Sequence, residues 1–171
     1  MKAKVDYKKF KAFSKKIQRT LYNKDVLSIQ NFIEDCSKEL AARLLSRVIK
    51  RTPVGHYPNT KKSGGALRRG WTGGKDTPGT TYAKSLPVSK QGSDFVVTVT
   101  NGIYYASYVE FGHRRKPGQY IPELGKCTTA GWTDGLFMLT ISESEVESIM
   151  PALLEKRLNE YLTKIFEGGD K

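Results

Sequence analysis

The strongest constraint on how this chain folds is one unbroken apolar stripe. Val26, Ile29, Phe32, Ile33, Cys36, Leu40, Leu44, Leu45 and Val48 recur at spacings of three and four, the period at which side chains share one face of an α-helix. Asn23 or Asp25 can accept the orphan amide bonds at its start. Thr52 precedes Pro53 and is pushed toward extended geometry, so the helix must stop near Arg51. A stripe this long needs a second layer to cover it, and the rest of the chain must supply one.

Upstream, Tyr7, Phe10, Phe13 or Ser14, Ile17 and Leu21 recur at similar spacings with lysines between them, which predicts a basic amphipathic helix within residues 1–24. At the other end, Val146, Ile149, Leu153, Leu154, Leu158, Tyr161, Leu162, Ile165 and Phe166 mark a C-terminal helix closed by Gly168-Gly169. Ser142 with Glu145, or Ser144 with Glu147, reads as a capping box at its start. Pro151 then falls within the first turn of a restarted helix or at a kink.

The middle of the chain reads as strands and loops. Ala66 to Trp71 can open the first strand, Tyr82 to Val88 a second with Pro87 at an edge or bulge, and Phe95 to Thr100 a third. Lys90 to Ser93 supplies one turn and Asn101-Gly102 another. Leu136 to Ile141 reads as a last buried strand. Residues 52–80 and 113–131, rich in glycine, proline and basic residues, are expected as long loops. The expected fold is α+β: one domain over residues 1–171, a small and mainly antiparallel sheet packed against a long N-terminal helix and a C-terminal helix.

Between them lies NGIYYASYVEFG, residues 101–112. On a helix, Tyr104, Tyr108 and Phe111 share one face and Tyr105 and Val109 the next, so the helical template fits better than the alternating one. Gly112 suits a left-handed helix end. Glu110, alone among aromatic and apolar side chains, needs a partner, for which Arg68 or Arg114 is the expected choice.

Charge separates the function classes. The net charge of +12 lies in two blocks: residues 1–24 hold nine Lys/Arg against one acid and residues 51–90 eight against one, while residues 142–171 hold seven acids against four bases. That polarity suits nucleic acid, and equally the head-to-tail packing of identical subunits. Cys36, His56, His113 and Cys127 lack the short paired spacing of metal ligands, and a Cys127–His113 nucleophile has no third orienting group. The glycine-rich pieces are not followed by Lys-Ser/Thr at a helix start, so they do not form a phosphate loop. Isolated acids offer no two-carboxylate site. Two other readings remain: a basic nucleic-acid-binding domain, supported by Arg68, Arg69, Trp71, Arg114, Arg115 and Lys116 near stacking aromatics, and a small nuclease or toxin-like enzyme.

Four elements in order carry a resemblance. A helix ends in Thr-Pro-Val-Gly, and Gly64 to Trp71 reads Gly-Gly-x-Leu-Arg-Arg-Gly-Trp. Tyr105 to His113 reads Tyr-Ala-Ser-Tyr-Val-Glu-Phe-Gly-His, and Gly131 to Leu139 reads Gly-Trp-x-x-Gly-x-Phe-Met-Leu. Over roughly residues 25–166 this order resembles the tail-completion, or head-to-tail joining, proteins of long-tailed bacteriophages and prophages. Gly55 to Gly65 forms a longer insert than many relatives carry. The motif core comprises Tyr105, Tyr108, Val109, Phe111, Gly112, Trp132 and Phe137. The resemblance implies a non-enzymatic virion assembly subunit at the neck, present in the host cytoplasm during assembly, with no cofactor, metal, membrane or small-molecule substrate. Implied partners are other copies in a ring, head-completion or connector proteins, and tail-tube or tail-terminator proteins, with DNA close by. Contacts are expected at Arg68, Arg69, Trp71, Glu110, His113, Arg114 and Arg115.

Overall fold

A computed structural model describes residues 26–57, 61, 63–92, 94–122 and 125–167. The basic helix expected within residues 1–24 and the closing Gly168-Gly169 lie outside the described residues. The α+β class is realised, with a long helix near each end and short antiparallel pairings between them. Contacts divide the chain into two compact units, Ser37–Met150 and a second whose described residues are 26–36 and 151–167.

Helix α1, Val26–Arg51, is the element the apolar stripe predicts. Within Ser37–Met150 it contributes Ala41, Leu45 and Val48 to a buried cluster completed by Leu67, Trp71, Ala83 and Met138. Its stop is built from more than Pro53. Thr52 is fully buried, its amide and hydroxyl both donate to the Val48 carbonyl, at 2.9 and 2.6 Å, and the Trp71 indole N–H donates to Thr52 Oγ1 at 2.8 Å. The Arg68 guanidinium forks onto the Thr52 carbonyl through Nε and Nη2, at 3.1 and 2.7 Å, placing a cation and two donors at the negative end of the helix.

Two stretches expected as strands are helices instead: α2, Ala66–Gly70, and α3, Gly79–Ser85. Each buries one short face, Leu67 in α2 and Ala83 in α3, and a single-turn face is too short to announce its period in sequence. Strand β1, Val88–Gln91, pairs with β2, Asp94–Val97, as an antiparallel hairpin turning at Gly92. The strand expected over Phe95 to Thr100 therefore ends early, although Val97 and Val99 both pack on the core. Asn101 makes no hairpin turn: its side-chain Nδ2 donates to the Leu67 carbonyl at 2.9 Å and its Oδ1 accepts from the Ile103 backbone N–H at 3.1 Å, tying α2 to the aromatic stretch.

That stretch is helical from Ala106 to Phe111 (α4). Strand β3, Gly112–Arg114, pairs antiparallel with β6, Trp132–Asp134. Between them, β4, Tyr120–Ile121, pairs with β5, Lys126–Cys127. The strands thus form separate two-stranded ribbons rather than one sheet. Helix α5 spans Met138 to Glu167 and contains Pro151. The strand expected over Leu136 to Ile141 and the capping boxes at Ser142 and Ser144 give way to an earlier start: Ser142 is buried mid-helix and its hydroxyl donates back to the Met138 carbonyl at 2.6 Å. Glu145 pairs with Arg47 at 3.2 Å and with Arg51, linking α5 to α1. In the second unit, the Phe32 and Tyr161 rings stack with centroids 4.4 Å apart, and Ile165 is buried.

Candidate functional site

The two motifs of the sequence, around Glu110 and around Trp132, fold into one joint. Glu110 is only 6% exposed. Its Oε2 accepts the Leu139 amide at 2.9 Å, and its Oε1 accepts the Thr140 amide and hydroxyl, each at 2.9 Å. Its own carbonyl accepts the Phe137 amide at 3.0 Å, and the Val109 carbonyl accepts that of Leu136 at 2.8 Å. Glu110 thus caps α5 from a different element: a carboxylate meets orphan N–H groups at the positive end of a helix, the arrangement in which a buried charge is best compensated. Its partners are backbone amides and a hydroxyl, not the arginine expected from sequence.

The joint is tight at two glycines. A Cβ on Gly135 would lie 2.3 Å from the Glu110 carbonyl oxygen, and one on Gly112 would lie 2.5 Å from that of Thr133. Gly112 has φ 85° and ψ 171°, which is extended on the positive side rather than left-handed helical, a region that only glycine occupies without strain. Phe137, at φ 48°, is the single non-glycine with positive φ among the described residues. It sits where the chain turns from β6 into α5.

Inside, the joint rests on the core through Tyr105, Ala106, Val109, Met138 and Leu139. Burial raises the pKa of the Tyr105 phenol, with Tyr57 and Tyr104 adding to the shift, so this hydroxyl stays protonated. Outside, the joint is apolar and open. Phe111 is 62% exposed and Trp132 49%, and Tyr108, Leu136, Phe137 and Ile141 are exposed as well. Only part of the expected motif core is therefore buried: Tyr105 and Val109 pack on the core, while Tyr108, Phe111, Trp132 and Phe137 are exposed.

The residues expected to make contacts divide in the same way. Trp71 is 4% exposed and bonded to Thr52, Arg68 holds the end of α1, and Glu110 holds the start of α5. Each is engaged within its own unit. Arg69 is half-buried, with Nη1 at 3.4 Å from the Gly64 carbonyl. His113 is half-buried beside Tyr108, the ring centroids 5.7 Å apart. Arg114, Arg115 and Lys116 are exposed and make no ion pair among the described residues. Sequence reasoning missed Leu136 and Ile141 as surface residues, because a run reading Leu-Phe-Met-Leu-Thr-Ile looks uniformly buried when the start of its helix is misplaced.

Among the described residues, no three His, Cys, Asp or Glu side chains gather where a metal could sit, and no helix is long and apolar enough to cross a membrane. Cys36 and Cys127 form no disulfide. A cavity of about 200 Å³ beside Tyr57 and Tyr105 is lined also by Pro53, Val54, Gly55, Ser63, Gly64, Gly65, Ala66, Leu67 and Val109, with no His, Cys, Asp, Glu, Lys or Arg among the described residues that line it. The arrangement is suited to binding through apolar surface rimmed by cations.

A family model described as "Bacteriophage HK97-gp10, putative tail-component" matches residues 8–112. The match takes in α1, every residue of the buried cluster except Met138, and the Glu110 motif as far as Gly112. Neither the curated proteins nor the solved structures give a match.

Proposed function

Because the chain belongs to the HK97 gp10-like family of bacteriophage tail components, we propose that it is a structural subunit completing the tail at its junction with the head, that it works as a ring of identical copies, and that it turns over no substrate. The observation that carries this reading is the outer side of the joint. Apolar side chains contributed by α4, β6 and the start of α5 are exposed together, and clustered exposed apolar surface marks a site of protein contact. The rigid joint beneath would hold that surface in one shape, which is what a subunit must offer to identical neighbours. His113, Arg114 and Arg115 are the contact residues of this proposal, whereas Arg68, Trp71 and Glu110 act within the unit.

The test is to stop translation of this reading frame in the phage or prophage that encodes it, with a complementing plasmid as control. Electron microscopy of lysates should show filled heads and separate tails in place of joined particles, and complementation should restore joining. Normal infectious particles without the protein would overturn the reading. A nucleic-acid role is the second reading, favoured by the unpaired Arg114, Arg115 and Lys116. It predicts DNA binding that weakens steeply as salt rises.

A further inference from the structure

Two sets of unpaired charge of opposite sign lie on the unit Ser37–Met150. Arg114, Arg115 and Lys116 extend from β3, whose register places Arg114 opposite Trp132, so they border the exposed apolar face. Glu143 and Glu147 are exposed on α5 and make no ion pair among the described residues, in contrast to Glu145, which is taken by Arg47 and Arg51. Helical rotation of about 100° per residue puts Ile141, which belongs to the apolar face, and the Glu143/Glu147 pair on opposite flanks of α5. Between them lie Thr140 and Ser144, exposed and small, against which aromatic rings can rest.

We infer that the basic, apolar face of one copy docks on the acidic flank of α5 in the next copy, a heterologous contact that propagates around a ring. The inference rests on the ring proposed above and names its two surfaces. Used head to tail, the two surfaces engage two different neighbours, as closed rings require, whereas an isologous pair would satisfy both with one partner and stop at a dimer. Opposite charges at the rim fix the register and the order of subunits, while Phe111, Trp132 and Leu136 supply the apolar burial.

The test uses the full-length protein, nuclease-treated, and two charge-reversed variants, R114E/R115E and E143K/E147K. None of the four residues makes an ion pair among the described residues, and circular dichroism of each variant checks that it stays folded. In sedimentation and light scattering at low salt, wild type should form assemblies larger than a dimer. Each variant alone should associate about tenfold or more weakly, because its two surfaces then carry the same sign. Mixed one to one, the variants should assemble again, with both chains in every particle. A wild type that stays monomeric or stops at a dimer, association unchanged in either variant, or a mixture that fails to assemble would each overturn the inference. Loss of DNA binding in R114E/R115E with self-association intact would assign those arginines to nucleic acid and overturn it too. A negative result here leaves the head-to-tail role standing if stopping translation still separates heads from tails, so the two failures are distinguishable.

Discussion

Two nodes in the unit Ser37–Met150 use the same device with opposite signs. At Thr52, the residue that follows α1, the C-terminal end of that helix is closed by a cation, Arg68, reaching the Thr52 carbonyl. At Glu110 the N-terminal end of α5 is closed by an anion accepting its first amides. Each charge sits where the helix dipole favours it, and each comes from a separate element, so each cap is also a tertiary tie. The difference lies in what surrounds them. The Thr52 node is enclosed, with Trp71 buried over it, whereas the Glu110 node is roofed by rings that face out. Fixing a helix end is structural work in both places, but only the second also presents a surface.

If that contrast is right, the largest single loss of stability should come from Glu110→Ala. It removes a buried carboxylate with three donors and leaves the Leu139 and Thr140 amides unpaired at the start of α5. A cost of roughly 3–4 kcal/mol is expected, read as a lowered midpoint in urea or thermal unfolding. Glu110→Gln should fall between this variant and wild type, because its amide keeps one acceptor oxygen and turns a donor group toward donors. A loss below about 1 kcal/mol for Glu110→Ala, the size of an ordinary hydrogen bond, would mean that the cap does not hold the joint.

Trp71→Phe tests the enclosed node. It keeps most of the buried ring, deletes the indole donor to Thr52 Oγ1 and leaves a small void, so about 1–2 kcal/mol should be lost. Self-association should be unchanged, since Trp71 has almost no exposed surface. A Trp71→Phe protein of wild-type stability that fails to assemble would reverse the assignment of the two nodes.

How legible these nodes were in sequence follows from their construction. Helix α1 was readable because its stripe is long and its stop is local, at Pro53. The cap of α5 was not, because its acceptor lies 29 and 30 residues upstream of the amides it serves. A reader confined to local signals therefore starts the helix at Ser142, where Ser-x-x-Glu imitates a capping box. The same distance hid the partner of Glu110, which adjacency to basic loops assigns to arginine. Helices α2 and α3 bury too few residues to show a period. The motif residues themselves were legible, and so was their division: the helical template separates Tyr104, Tyr108 and Phe111 from Tyr105 and Val109, and the first set is exposed while the second packs on the core. Period alone does not say which of two apolar faces turns inward, because both are aromatic.

The smallest effect on stability, paired with a large effect on assembly, should come from the outward side of the joint. Phe111 and Leu136 are 62% and 50% exposed, so much of their apolar area is already in water in the monomer. Phe111→Ser with Leu136→Ser removes little burial and should cost no more than about 1 kcal/mol. If the surface is an interface, those same atoms are buried only in the assembly, where exposed aromatic and aliphatic anchors contribute most of the binding. The double variant should then sediment as a smaller species under conditions where wild type assembles, and it should fail to complement in the phage while unfolding near the wild-type midpoint. Had the two side chains been mainly structural, stability and assembly would fall together, as they should for Glu110→Ala. The comparison of the two nodes therefore turns on whether those two measurements separate at Phe111 and Leu136.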